Sequence, residues 1–288
     1  MNYPNLPLNC LINSDSRDGM SLLPDTSVDL ILTSPPYSDL RSYPGSPPEQ
    51  YCAWFTPFAE QMLRILTPDG SLIINIGDRC LKGERIPYSM ELTLLLRKMG
   101  LFLIDEIIWV KGKGLHSEKA KRAANYWERI LHFSRSTNPY FDPDPIRTPY
   151  PESSIKRATK PIKINTSNRE GRLATEAVGY KEWKLNPLGS FPKNVVYFKQ
   201  DLGRDHVASF DISLPTYFIQ AYSQPGSLIL DPFAGRGTTL SAVRNLNGNL
   251  PAETLPRRYL GFEIMPEYVA LARDKYGLEV VLNADPQR

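Results

Sequence analysis

Leu228-Ile229-Leu230-Asp231-Pro232-Phe233-Ala234-Gly235-Arg236-Gly237-Thr238-Thr239 runs from an apolar stretch through a glycine turn into the start of a helix. Ser227 to Leu230 reads as a strand and Thr238 to Leu246 as a helix. The two glycines allow close approach of backbone, and a helix N-terminus presents free N–H groups. No Gly-Lys-Ser/Thr follows, so this is not a phosphate loop, and it is not the longer dinucleotide fingerprint. An acidic side chain at the strand end suits a cationic ligand better than a pyrophosphate. The next strand, Tyr259 to Ile264, carries Glu263 near its end, 32 positions after Asp231. Such a residue is placed to hydrogen-bond ribose hydroxyls.

The same alternation extends outward. Val28 to Thr33 and Ser71 to Ile76 are apolar strands, and Leu101 to Val110 is a strand pair or one long strand. Trp54 to Leu66 and Met90 to Met99 have helical spacing, as does Leu214 to Ala221. Pro266 to Tyr276 is a helix with proline in its first turn and Gly277 after its end. Near-continuous apolar strands between helices predict a doubly wound α/β fold with a mostly parallel sheet.

Residues 111–195 break the pattern. Proline and basic residues rise, and periodicity weakens. The expected organisation is an α/β domain in two pieces, 1–110 and 196–288, around an inserted basic region, 111–195. Net charge sharpens the contrast. The chain carries +3, but residues 111–200 hold 18 Lys+Arg against 8 Asp+Glu. A basic segment inside an otherwise acidic chain points to a polyanion. Lys111, Lys119, Lys121, Arg122, Arg157, Lys160 and Lys163 are candidate phosphate contacts to such a partner.

Thr33-Ser34-Pro35-Pro36-Tyr37 follows directly on a strand. Ligand chemistry in open α/β sheets sits at carboxyl strand ends. Ser46-Pro47-Pro48 serves as an internal control, since no strand precedes it and no aromatic follows. Two prolines fix two φ angles and remove two donors, leaving a rigid loop that displays carbonyls. A hydroxyl beside such carbonyls, with a ring to stack on, suits a planar base bearing an exocyclic amine. Accepting both N–H bonds, at Ser34 Oγ and the Pro35 carbonyl, favours a more pyramidal and nucleophilic nitrogen. Tyr37 can stack on the base. The glycine loop, Asp231 and Glu263 together fit S-adenosylmethionine, with Asp231 near the ammonium and Glu263 on the ribose.

With an apolar fraction of 41% the chain can bury a sizeable core. Cys10, Cys52 and Cys80 are too few and scattered for a disulfide framework, and no metal site is expected. Met1 to Ile12 carries no charge ahead of an apolar run, so no signal peptide is expected. No apolar run reaches membrane-spanning length. The expected setting is cytoplasmic.

Thr33–Tyr37 paired with Asp231–Thr239 resembles the amino-methyltransferases of DNA, which methylate cytosine N4 or adenine N6. The order, catalytic loop first and cofactor loop second, resembles the permuted class called beta, with a target-recognition region between the halves. Asn13-Ser14-Asp15 resembles the strand that gives an acidic contact to the cofactor adenine. Trp109-Val110-Lys111 and Trp127-Glu128-Arg129-Ile130-Leu131-His132-Phe133 resemble segments flanking the recognition region. His206-Val207-Ala208-Ser209-Phe210 resembles a segment that helps enclose the cofactor, with Val207 where proline is usual.

The resemblance covers about residues 9–276 and implies S-adenosylmethionine as donor and a seven-stranded-type sheet. It also implies a base flipped out of duplex DNA. Its implied catalytic residues are Ser34, Pro35, Pro36 and Tyr37. Its implied cofactor residues are Asp15, Thr33, His206, Phe210, the loop Asp231, Pro232, Phe233, Ala234, Gly235, Gly237, Thr238 and Thr239, then Glu263 and Ile264. No Pro-Cys pair is present, so a covalent cytosine-C5 mechanism is not expected. Ser34 favours cytosine N4, with adenine N6 the alternative, then an RNA methyltransferase or a non-catalytic DNA-binding homologue. A monomer is expected, and a restriction endonuclease acting on the same site is the partner this family implies.

Overall fold

A computed structural model describes residues 6–37, 47–112, 121–165, 178–181, 183–201 and 209–282. They divide into two compact units, one of residues 1–142 and 194–288, the other of Pro143–Lys193.

The larger unit begins with β1 (Cys10–Asn13), α1 (Ser16–Ser21), β2 (Val28–Thr33), α2 (Tyr51–Ile65) and β3 (Leu66–Ile76). A small hairpin, β4 (Arg79–Leu81) with β5 (Glu84–Ile86), precedes α3 (Tyr88–Lys98), β6 (Phe102–Lys111) and β7 (Trp127–Ser134). The smaller unit holds α4 (Glu152–Ala158) and a strand pair, β8 (Ile162–Asn165) and β9 (Val178–Lys181). The larger unit resumes with β10 (Val195–Phe198) and the two-residue strands β11 (Gln200–Asp201) and β12 (Ser209–Phe210). It ends with α5 (Ser213–Tyr222), β13 (Leu228–Asp231), α6 (Thr238–Asn247), β14 (Arg258–Glu263), α7 (Pro266–Tyr276) and β15 (Glu279–Leu282).

Nine strands form one sheet in the order β10-β6-β7-β3-β2-β13-β14-β1-β15. Every neighbouring pair is parallel except the two that involve β7. The carboxyl ends of β6, β3, β2, β13, β14 and β1 therefore share one edge. Because β7 runs the other way, its first residues reach that edge too. The α/β class expected from the sequence is the one observed, with two strands more than the seven-stranded type.

The central strands are buried on both faces, which is why they read as apolar runs. Leu30, Ile31, Ile229, Leu230, Leu260 and Phe262 are all at 0% exposure, each contributing about 1.5–3 kcal/mol by burial. Helix α2 covers one face with Tyr51, Phe55, Phe58, Met62 and Ile65, at helical spacing.

One boundary differs from the sequence expectation. The insertion does not start at residue 111: β7 belongs to the central sheet, and the separate unit is Pro143–Lys193. The polar residues Glu128, Arg129 and His132 break the apolar run of β7 and disguise it as part of the basic region. Of the two readings of Leu101 to Val110, the single strand is the one observed, as β6, with an irregularity between Leu103 and Asp105.

The smaller unit is tied by a bridge between Thr148 and Ser190 and by Arg147, whose guanidinium donates to the Gly189 carbonyl and lies 5.5 Å from the Phe191 ring centre. Among its described residues Ile146 is the one buried hydrophobic, while Leu188, Phe191 and Ile155 are exposed.

Candidate active site

Four adjacent strands bring the sequence candidates to one edge. Ser34 follows β2, Asp231 ends β13, Glu263 ends β14, and Asp15 follows β1 by one residue beyond Ser14. Thr33 Oγ1 donates to Asp231 Oδ1 at 2.7 Å, joining the end of β2 to the start of the glycine loop. The Phe233 amide donates to the same oxygen at 3.1 Å. This carboxyl group is closed off from solvent, and burial raises its pKa to about 6, against the lowering effect of its hydrogen bonds.

The loop that follows depends on backbone conformation. Gly237 has φ +76°, and a Cβ there would lie 2.3 Å from Leu278 Cδ1. It caps α6 with no side-chain hydrogen bond, so the helix start is left to other acceptors. Glu263 braces the loop, with Oε2 accepting from the Gly235 amide and Oε1 from the Met265 amide, both at 2.8 Å. The Ala234 amide is bound by the Phe262 carbonyl at 2.9 Å. Burial raises the Glu263 pKa to about 7. Pro232, Thr238 and Thr239 are buried beneath this turn. The Asn13 side chain donates to the Glu263 carbonyl at 2.8 Å and to that of Ile264 at 3.2 Å, tying β1 to β14; the Ile264 side chain is exposed.

Several candidates have partners the sequence did not suggest. Asp15 caps α1, and both its oxygens are engaged by Arg17, at 2.8 Å from its amide and 2.5–3.0 Å from its guanidinium. The Arg17 hydrogen bond holds its pKa below the usual carboxylate range. The Phe233 ring packs 5.0–6.3 Å from the rings of Trp54, Phe55 and Phe58, so it anchors the loop to α2. Phe210 is buried and belongs to the β11–β12 pair, opposite Gln200. His206 lies outside the described residues.

The Ser34 loop rests on a polar cluster. Pro35 is buried, while Ser34, Pro36 and Tyr37 are half-buried. Tyr37 donates its hydroxyl to Glu128 Oε2 at 2.7 Å. Asn75, on β3, donates to Glu128 Oε2 at 3.1 Å, and its Nδ2 stands 3.2 Å from the Tyr37 hydroxyl and 3.5 Å from Ser34 Oγ. Glu128 Oε1 pairs with Lys111 Nζ at 2.7 Å. Burial, then the Glu128 charge, push the Tyr37 pKa well above its ordinary value. Below the cluster, Arg129 bonds Ser89 and pairs with Asp78 and Glu106, and Tyr88 donates to the Gly77 carbonyl.

Lys111 is thereby corrected: it is 9% exposed and spent on Glu128, so it is not available to a phosphate. Sequence reasoning passed over Asn75 and Glu128. Asn75 did leave a signal, a single polar residue inside Leu72-Ile73-Ile74-Asn75-Ile76. Of the other basic candidates, Lys121, Arg122, Arg157 and Lys160 are exposed. Lys119 lies outside the described residues, and the Lys163 side chain is not described. Among the described residues, no cluster of three His, Cys, Asp or Glu could hold a metal ion, and no helix is long and apolar enough to cross a membrane.

A mostly parallel sheet thus carries a serine–proline loop and an acidic glycine loop side by side at its carboxyl edge. The chain belongs to the DNA methylase family of N6/N4 methyltransferases, whose model matches residues 28–274. The type II methyltransferase M.BglII of Bacillus subtilis is 31% identical over 94% of this chain and 69% of its own length. M.PvuII of Proteus hauseri is 27% identical over 91% of this chain and 82% of its own. In fold, the chain matches the PvuII DNA methyltransferase (cytosine-N4-specific) with TM-score 0.67 at 21% identity, covering 92% of this chain and 85% of that one. It also matches a Thermus thermophilus protein, assigned as a DNA modification methylase and solved with S-adenosyl-L-methionine, at TM-score 0.62 and 22% identity, over 95% of this chain and 97% of that one.

Proposed function

We propose that the protein transfers a methyl group from S-adenosylmethionine to the N4 amine of a cytosine flipped out of duplex DNA. The observation that carries this is the Thr33–Asp231 hydrogen bond, which sets the amine-accepting loop beside the cofactor loop. The donor set fits a nucleoside carrying an amino acid and a positive charge. The buried carboxyl groups of Asp231 and Glu263 supply negative charge and acceptors. When bound, the cofactor supplies an electrophilic methyl group. Ser34 Oγ and the Pro35 carbonyl accept the two amine N–H bonds, and the half-buried Tyr37 ring stacks on the base, a contact of about 1–3 kcal/mol. Holding amine and methyl donor together supplies rate by orientation.

Ser34 at the first motif position supports cytosine over adenine. The basic unit 143–193, with Arg157 and Lys160 exposed, supports a role in target recognition. Similarity to type II methyltransferases supports a restriction-modification setting in the cytoplasm, and one subunit suffices for one strand. The test is methylation of mixed-sequence duplex DNA, digestion to nucleosides and mass spectrometry. N4-methylcytosine supports the reading. N6-methyladenine overturns the base assignment, and product on RNA alone overturns the substrate.

A further inference from the structure

We propose that Glu128, held by Lys111, is a positioning residue for methyl transfer, acting through Tyr37 and Asn75 to fix the Ser34 loop. The inference rests on the reading of Ser34 and Tyr37 given above. Neither charged residue needs to touch substrate or cofactor.

The geometry is a branched chain of contacts. Lys111 ends β6 and Glu128 lies at the start of the antiparallel β7, so both reach the edge where β2 and β3 deliver Ser34 and Asn75. The ion pair is 2.7 Å long, with side chains 10% and 11% exposed. Its second carboxylate oxygen accepts from both Tyr37, at 2.7 Å, and Asn75, at 3.1 Å. Tyr37 has little freedom to turn about a bond that links the loop to a buried charge.

Asn75 explains why a charge is useful here. Its NH2 faces Glu128, Tyr37 and Ser34, while its Oδ1 is buried without a hydrogen-bond partner among the described residues. An unmet buried acceptor is unfavourable. A charged acceptor at Glu128 holds the amide in this orientation, since charge-assisted bonds are the stronger ones. With the NH2 toward Ser34, the serine oxygen meets a donor on that side and its remaining capacity is directed elsewhere. Removing the charge frees both the amide and the tyrosine. A buried ion pair is a poor source of stability, because desolvation offsets attraction. Its value here is orientation.

The test compares Glu128→Gln, Lys111→Met and the double variant Lys111→Met/Glu128→Gln with Tyr37→Phe and Ser34→Ala. Single-turnover methyl transfer to duplex DNA, KM for DNA, S-adenosylmethionine affinity and Tm are read for each. Each single variant at the ion pair leaves one buried charge unpaired and lowers Tm, whereas the double variant regains it. The double variant nonetheless transfers methyl about 10- to 100-fold more slowly than wild type, with cofactor affinity retained. Tyr37→Phe keeps the ring and loses the link, so adding Glu128→Gln to it costs less than Glu128→Gln costs alone. A double variant that regains rate along with Tm, or fully additive Tyr37 and Glu128 effects, overturns the proposal. The outcome for Ser34→Ala separates this from the underlying reading. Full activity in Ser34→Ala removes the reading itself. Its inactivity beside a fully active Glu128→Gln removes the positioning role alone.

Discussion

The two units of this chain solve different problems. The α/β unit buries whole strands, and its polar groups at the carboxyl edge are bonded to one another: Asp231 to Thr33, Glu263 to the glycine loop, Glu128 to Lys111 and Tyr37. The unit Pro143–Lys193 has Ile146 as its one buried hydrophobic among the described residues, and its helix α4 buries nothing. In the proposed reading, the site that holds reacting atoms in a fixed geometry is built on the well-buried unit, and the surface that meets a polyanion rests on little core and much charge.

If that contrast is right, damage to the two units separates cleanly. The largest effect falls on Gly237→Ala. A methyl group there meets Leu278 in a backbone conformation that alanine rarely adopts, so a loss of about 2–4 kcal/mol is expected, read by chemical denaturation together with lost cofactor binding. Phe233→Ala removes a ring from the α2 cluster and costs about 3 kcal/mol, with a matching fall in cofactor affinity; a stable variant with normal affinity would show that the loop stands without its anchor.

Asp231 and Glu263 sharpen the contrast through pH. Their folded-state pKa values, about 6 and about 7, lie above the unfolded values near 4. The folded chain therefore takes up protons as pH falls from about 7 to about 4, and these groups favour folding more at the acidic end of that window. Cofactor affinity should move oppositely, weakening below pH 7 as the carboxylates are neutralised. Asp231→Asn should raise the Tm of the free protein by a few degrees at pH 8 while weakening cofactor binding. A fall in Tm with unchanged affinity would count against the cationic-ligand role.

The smallest effect on stability belongs to the other unit. Lys156→Ala, Arg157→Ala and Lys160→Ala together should leave Tm within about 1 °C. They should weaken DNA binding and flatten its salt dependence by up to about 3 in log-log slope. Unchanged affinity and slope would place the DNA surface elsewhere.

Legibility in the sequence followed the same division. The buried parallel strands announced themselves because both faces are apolar, so β2, β13 and β14 were readable to within a residue or two. Helix α7 was readable at both ends from Pro266 and Gly277. Strand β7 was not, because Glu128, Arg129 and His132 interrupt its apolar pattern; two of them serve buried ion pairs and the third bonds Ser71 at 2.9 Å. The two candidate loops were legible from residue type and spacing as turns at the ends of β2 and β13. Their supports, Asn75, Glu128 and Lys111, come from separate strands and meet only in the folded sheet. Lys111 in particular looked like a free cation because sequence shows charge and not its partner.

The central claim, an amine held at Ser34 beside the cofactor loop, is tested most directly by one comparison. Purified wild type and Ser34→Ala are each incubated with S-adenosylmethionine and mixed-sequence duplex DNA, and the digested nucleosides are identified by mass spectrometry. The account predicts N4-methylcytosine from wild type and a loss of at least about 100-fold in the variant, with cofactor binding intact. Equal yields of methylated nucleoside from both proteins would contradict it.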